Sequence, residues 1–196
     1  MEIISTNYEM GRQGQEKPFN FLGFLSDVPV DLESMGVKAK ILGTIKDWQP
    51  SPNEYYFVGL SRPEQKKKVA ELLAQKGAKF TNIISPYAIF FPDTKIGTGC
   101  LITGASRISK TAVIGNFVNI HVGMICAGAR IGDYSTTTGY TIVEDAVVGE
   151  GVYIGSKAVI TEGRTVGDWS SVYAGSVVMD DVPPHTNVFG MPARPI

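Results

Sequence analysis

An aliphatic side chain returns every six residues through the second half of this chain, and an aliphatic-Gly pair returns every 17 or 18. A β-α-β pattern stands ahead of both. Together these observations predict a left-handed parallel β-helix preceded by a small α/β domain, divided as 1–84, 85–182 and a C-terminal cap over 183–196.

The repeat carries most of the argument. Ile96-Gly97, Ile114-Gly115, Ile131-Gly132, Val148-Gly149 and Val166-Gly167 follow one another at intervals of 18, 17, 17 and 18. Between them the aliphatic positions run Ile96, Ile102, Ile108, Ile114, Ile120 and then Val148, Ile154, Ile160, Val166, Val172, Val178. Small or β-branched residues stand four positions later, as at Cys100, Ser106, Ala112, Val118, Ala158, Ser170 and Ser176. A period of six fits neither a helix of 3.6 residues per turn nor strand alternation. It fits a hexapeptide solenoid, in which three short faces close one triangular coil of about 18 residues. About five coils at the strand spacing of ~4.8 Å predict a prism ~24 Å tall, with Gly at its corners. The two 17-residue intervals imply single-residue deletions, near Ala129-Arg130 and near Val143–Val147.

The first half follows other rules. Phe21–Leu25 and Asn53–Gly59 are strand candidates. In SRPEQKKKVAELLAQKG, Ser61 suits the N-cap, Pro63 the first turn, and Val69, Leu72 and Leu73 an apolar stripe. Glu64 and Lys68 are spaced as an i,i+4 pair. Gly77 ends the helix and Lys79–Ile84 reads as the next strand, giving a parallel β-α-β unit. Ligands of such sheets sit beyond the strand ends, where Gly59, Leu60 and Ser61 lead into a helix N-terminus. The run Lys66–Lys68 reads as solvated helix face. GRQG at 11–14 lacks the strand-helix frame of a dinucleotide fingerprint.

Composition excludes several classes. The 196 residues carry Lys+Arg 18 against Asp+Glu 19, a net charge of -1 without the basic footprint of a nucleic-acid binder. No apolar run is long enough to span a membrane, and the start MEIISTNYEMGRQGQEK has no signal-peptide core, so a cytoplasmic location is expected. Cys100 and Cys126 are too few for a disulfide framework and read as buried thiols. Two His in the whole chain cannot supply the three ligands of a β-helical zinc hydratase such as the γ-carbonic anhydrases, so no metal is expected.

Two stretches carry a family resemblance. VGDWSSVYAGSVV followed by MDDVPPHTNVFGMPARPI resembles the closing coil and cap of bacterial hexapeptide acyltransferases. With FLGFLSD, FVGLSRPEQKKKVAELLAQKG and FTNIISPYAIFFPDTKIGTGCLI, roughly residues 20–196 resemble the nucleotide-sugar acetyltransferases of the sialic acid and bacillosamine pathways. The resemblance implies a homotrimer, acetyl-CoA as acyl donor in a cleft between neighbouring β-helices, and a nucleotide sugar or its polysaccharide near the N-terminal domain. It makes residues 1–84 a nucleotide-sugar-binding-like domain. That domain reads as truncated, because the family's initial strand and GAGGHG-like loop have no counterpart. Ser26-Asp27 stands where the family has an Asp-Asp pair, so Asp27 and Ser61 become the substrate-binding candidates. A nucleotidyltransferase with an acyltransferase tail would need a far longer N-terminal domain.

The family's catalytic segment, about V-E-H-D-C-V-I-G-D-F-V-H-I-S, carries a general-base His and a second His near the cofactor. A collinear alignment sets CAGARIGDYSTT (126–137) on it, with Gly128 in place of the base and Thr136 or Thr137 at the second His. Another register sets SKTAVIGNFVN (109–119) there, with Lys110 and Asn119 at the two positions, at the expense of one coil lost and one gained. Acyl transfer to an amine or hydroxyl needs a base, and only His121 and His185 are present. His185 lies in the cap and reads as structural. His121 follows the inward Ile120 and should point outward, either as a relocated base or as an ordinary exposed or trimer-interface His. Asn119, Ser156 and Ala174 are the cofactor-binding candidates. Gly155 and Gly175 are small neighbours, and Tyr173, where the family has Gly, crowds the groove. Thr136-Thr137-Thr138 could offer hydroxyls to a sugar. The expected function is acyl transfer from acyl-CoA to an amino or hydroxyl group of a nucleotide-linked sugar or glycan precursor. The competing reading is a weakened paralogue that keeps a trimeric sugar-nucleotide-binding scaffold.

Overall fold

The computed structural model describes residues 20–196; GRQG at 11–14 and the chain start lie outside the described residues. From Ile83 onward the chain winds into the left-handed parallel β-helix that the repeat predicts. The first face stacks Lys95–Ile96, Val113–Ile114, Arg130–Ile131, Val147–Val148 and Thr165–Val166. The second stacks Ile83–Ile84, Leu101–Thr103, Asn119–His121, Thr136–Thr137, Tyr153–Ile154, Ser171–Val172 and Asn187–Gly190, with Ala193–Pro195 returning antiparallel at the end. The third holds six strands, from Ile89–Phe90 to Val177–Val178, so there are six coils rather than about five. The additional coil begins at Ile83, where Ile84 fills the inward position.

The predicted aliphatic positions form the core. Ile102, Ile108, Ile120, Ile154, Ile160, Val166 and Val172 are fully buried, and so are Cys100, Ser106, Ala112, Val118, Ala158 and Ser176. Each large aliphatic side chain so buried contributes about 1.5–3 kcal/mol. The first deletion lies at Val122–Gly123, not at Ala129-Arg130. The register pairs Thr103 with His121 but Arg107 with Met124, which shortens that corner by one residue. The second lies between Val143 and Val147, as expected, because Ile125 pairs with Val143 and Arg130 with Val147.

The repeating Gly has a different cause from the one expected. None of Gly97, Gly115, Gly132, Gly149 and Gly167 has a left-handed backbone; instead the next coil leaves no room for a side chain. A Cβ on Gly97 would stand 2.6 Å from Gly115 O, and one on Gly132 would stand 2.5 Å from Gly149 C. The corners themselves are turned by left-handed residues of every kind. Between the first and second faces these are Gly99, Phe117, Tyr134, Gly151, Trp169 and His185, with φ from 54° to 71°. Non-Gly residues pay about 1–2 kcal/mol each for this conformation. A ladder offsets it: the N–H groups of Phe117, Tyr134, Gly151, Trp169 and His185 each donate to a carbonyl one coil back, at 2.7–2.8 Å.

The N-terminal unit holds the expected parallel β-α-β, with strands shorter than the sequence suggested. Tyr55–Tyr56 pairs with Lys79–Phe80, and helix α1 (Pro63–Gln75) connects them. Lys79–Ile84 is thus not one strand, since Ile83–Ile84 already belongs to the solenoid. Phe24–Leu25 pairs separately with Ile41–Gly43. Arg62, not Ser61, is the N-cap, in extended conformation and without a side-chain cap bond. Gly77 ends α1 as expected, at φ 85°, with Gly77 N–H donating to Ala74 O and Ala78 N–H to Leu73 O. The buried stripe is Pro63, Lys66, Ala70 and Leu73, with Val69 packed beside it. Lys66 is therefore core, not solvated face. On the exposed side Lys67 pairs with Glu150 at 2.6 Å and with Glu71 at 3.9 Å, in place of the expected Glu64 to Lys68 pair.

Candidate functional site

Packing of α1 decides which solenoid residues stay accessible. The helix docks on the corner aromatics, where Phe117 meets Phe80 edge-on and stacks on Tyr134, and Lys67 lies over Tyr134 and Trp169. The segment leading into it covers the outward column of the second face. Asn119 Nδ2 donates to Leu60 O at 3.1 Å, and Thr136 Oγ1 donates to Ser61 O at 2.8 Å. Lys66 Nζ completes the junction, donating to Thr136 Oγ1 at 3.0 Å and Ser135 O at 3.2 Å. Asn119 is 1% exposed, and its Oδ1 has no hydrogen-bond partner among the described residues.

His121 ends the same strand, beside the corner between the second and third faces. Its register partner is Thr103 in the preceding coil, and Thr138 follows in the next. The side chain is half-buried. Burial pushes the imidazole below its ordinary range, and the Lys66 ammonium pushes it the same way. The ring is therefore neutral at neutral pH, the form able to accept a proton.

Further along this edge stand Ser156 and Ala174, both exposed and one coil apart. Gly175 N–H donates to Ser156 O at 2.8 Å, and Ser156 Oγ bonds Thr138 Oγ1 at 3.1 Å. Gly155 has no room for a Cβ against Ala174, while Gly175, at φ 72°, faces open space. Tyr173 and Tyr140 are exposed beside them. One edge thus carries His121, Thr138, Ser156 and Ala174 in successive coils, a track of small and polar side chains with the exposed Tyr173 beside it. Asn119 is not on this track; it lies under Leu60.

The remaining candidates fall elsewhere. Gly128 (φ 81°) and the exposed Lys110 sit at the corner between the third and first faces, and Gly128 N–H donates to Thr111 Oγ1. Thr136 and Thr137 are fully buried, which corrects the expectation for two of the three stripe hydroxyls and leaves only the half-buried Thr138 accessible. Thr137 occupies an inward position otherwise held by Ile or Val, and its hydroxyl has no partner among the described residues. His185 serves the corner ladder, its N–H donating to Asp168 O. Asp27 is exposed and accepts from Lys46 N–H at 3.1 Å; Ser61 is exposed beside α1. Lys66 was hidden in the sequence by its neighbours Lys67 and Lys68, although its spacing from Ala70 and Leu73 marks the buried face. Cys100 is a buried free thiol and Cys126 a half-buried one. Among the described residues no three His, Cys, Asp or Glu side chains are grouped to hold a metal ion, and no helix is long and apolar enough to cross a membrane.

A six-coil parallel β-helix is the architecture this chain shares with hexapeptide-repeat acetyltransferases. The chain is similar in sequence to acetyltransferases of this type. It is 36% identical over 135 residues to serine acetyltransferase 3, mitochondrial, of Arabidopsis thaliana, covering 66% of this chain and 31% of that protein. It is 29% identical over 157 residues to GDP-perosamine N-acetyltransferase of Escherichia coli O157:H7, covering 74% of this chain and 69% of that one. Its fold matches a perosamine N-acetyltransferase variant from Caulobacter crescentus, solved with CoA and GDP-perosamine, at TM-score 0.77 and 22% identity, over 83% of this chain and 79% of that chain. The chain spans about a third of the length of the Arabidopsis relative. No family model matches it.

Proposed function

We propose that this protein transfers an acetyl or similar acyl group from acyl-CoA to an amino or hydroxyl group of a nucleotide-linked sugar or polysaccharide precursor. The observation that carries the reading is the position of His121, a half-buried neutral imidazole at one end of the Ser156 and Ala174 track. The pantetheine arm lies along that track, its thioester toward His121. The acceptor N–H or O–H gives its proton to the imidazole as the nitrogen or oxygen attacks the thioester carbon. The tetrahedral oxyanion takes hydrogen bonds from backbone N–H groups, the C–S bond breaks, and the proton passes to the leaving thiolate. Asp27 and Ser61, in the N-terminal unit, are the candidates for holding the nucleotide sugar. The bound sugar in the Caulobacter relative and the activity named for the E. coli relative support that acceptor class.

The working unit is a homotrimer in this reading. The outward column of the third face, Ile89, Arg107, Met124, Ile142, Val159 and Val177, is apolar but for Arg107, and Ile89 and Met124 are 43% and 41% exposed. A second copy covering that column would also wall the His121 edge. A cytoplasmic setting, where acyl-CoA is made, suits the same chemistry.

Thiol release from acetyl-CoA, followed with GDP-, UDP- and CMP-linked amino sugars, tests the proposal. Acceptor-dependent release with at least one sugar supports it. Release at the buffer rate with all of them, and no CoA binding by calorimetry, overturns it.

A further inference from the structure

Lys66 lies outside the chemistry just described, yet its placement is costly. It is fully buried, on a helix stripe otherwise made of Pro63, Ala70 and Leu73. An ammonium has three donors to satisfy, and both of its acceptors here, Ser135 O and Thr136 Oγ1, are uncharged. Thr136 is the register partner of Asn119, whose strand ends two residues later at His121. Alternate residues of a strand project from the same face, so Thr136 and His121 are about 8 Å apart along that face. Asn119 and Thr136, on the path between, are sealed under the N-terminal unit.

We infer that Lys66 is a positioning residue for His121: it ties α1 to the Asn119 and Thr136 column and sets the charge that the imidazole feels from beneath that unit. The inference rests on the reading of His121 as the base. The other groups at the junction do not replace it. Lys67, next on α1, is engaged by Glu150 and Glu71. Cys100, from the solenoid, is a neutral thiol that burial pushes up to about 11, with Asp133 acting on it from two coils on. Burial lowers Lys66 itself to about 7. On acidification Lys66 therefore takes its proton first, and that charge opposes a second proton on His121. The base stays unprotonated further into acid than burial alone would keep it.

The test is an NMR titration of the His121 ring in the full chain, assigned by comparison with His185→Ala. The wild-type midpoint lies below the ordinary His value. Lys66→Met and Lys66→Gln both move it upward, and Gln, which keeps a hydrogen bond but no charge, separates charge from docking. Reciprocally, His121→Ala raises the midpoint of the Lys66 Cε signal. An unchanged His121 midpoint in the folded Lys66 variants overturns the inference. If neither variant folds, an unchanged Lys66 midpoint in His121→Ala does so. None of these signals depends on turnover, so a wrong assignment of the reaction would show separately, as coupled titrations without thiol release.

Discussion

Lys66 Nζ and Thr136 Oγ1 meet at 3.0 Å across 70 residues of sequence, and this contact joins the N-terminal unit to the face that carries His121. A lysine amine normally near 10.5 is held at about 7 there by burial. Between those values the unfolded chain carries the proton and the native protein does not. Stability therefore rises as pH climbs from about 7 toward 10.5, by up to about 1.4 kcal/mol per pH unit. Lys66→Met removes that slope and leaves the protein more stable than wild type at pH 7 and below. Urea unfolding of both proteins from pH 6 to 10 measures it; parallel pH profiles would contradict the burial of a charge-bearing amine.

Stacking, rather than turn geometry, dictates the repeated Gly. Gly132→Ala places a Cβ against the backbone of Gly149 and should cost about 1–3 kcal/mol. Gly139→Ala meets nothing nearer than Ser156 Oγ at 4.0 Å and should stay within about 0.5 kcal/mol of wild type. Thermal unfolding of the two variants separates the causes, since a turn-based account expects no such contrast.

The core of this fold was legible because a solenoid repeats its own local rule. Ile102, Ile120 and Ile154 occupy equivalent positions, so period and burial coincide. What could not be read depends on which element lies on which face. Nothing near Thr136 in the sequence reveals that α1 covers it, and Lys66 in a run of three lysines resembles a solvated side chain. The coil shortened at Val122–Gly123 was placed at the wrong corner because both corners keep the aliphatic phase to within one residue. His121 stands out in the sequence as one of two His and by following the inward Ile120, and Ser156 and Ala174 by the family resemblance; the corner geometry sets all three on one edge. Asn119 was named for an alignment register, and its burial under Leu60 is a tertiary fact.

Blocking the track should weaken the donor without harming the fold. Ser156 is exposed, so Ser156→Trp should leave the melting temperature unchanged while raising KM for acetyl-CoA by about 10-fold, or ~1.4 kcal/mol. Steady-state kinetics at saturating acceptor checks this. An unchanged KM would move the pantetheine arm to another edge.

Charge placed on the third face should disperse the assembly. Met124→Glu puts a carboxylate in that column, apolar but for Arg107, and should convert a trimer to monomers in sedimentation velocity, with loss of turnover. A trimer that persists in Met124→Glu would place the interface elsewhere.

Acceptor-dependent thiol release by wild type, His121→Ala and His185→Ala under identical conditions tests the central claim most directly. Loss of a general base predicts a fall in kcat of about 10²–10⁴-fold for His121→Ala, with His185→Ala close to wild type. Equal turnover in wild type and His121→Ala would contradict the assignment of this imidazole as the base.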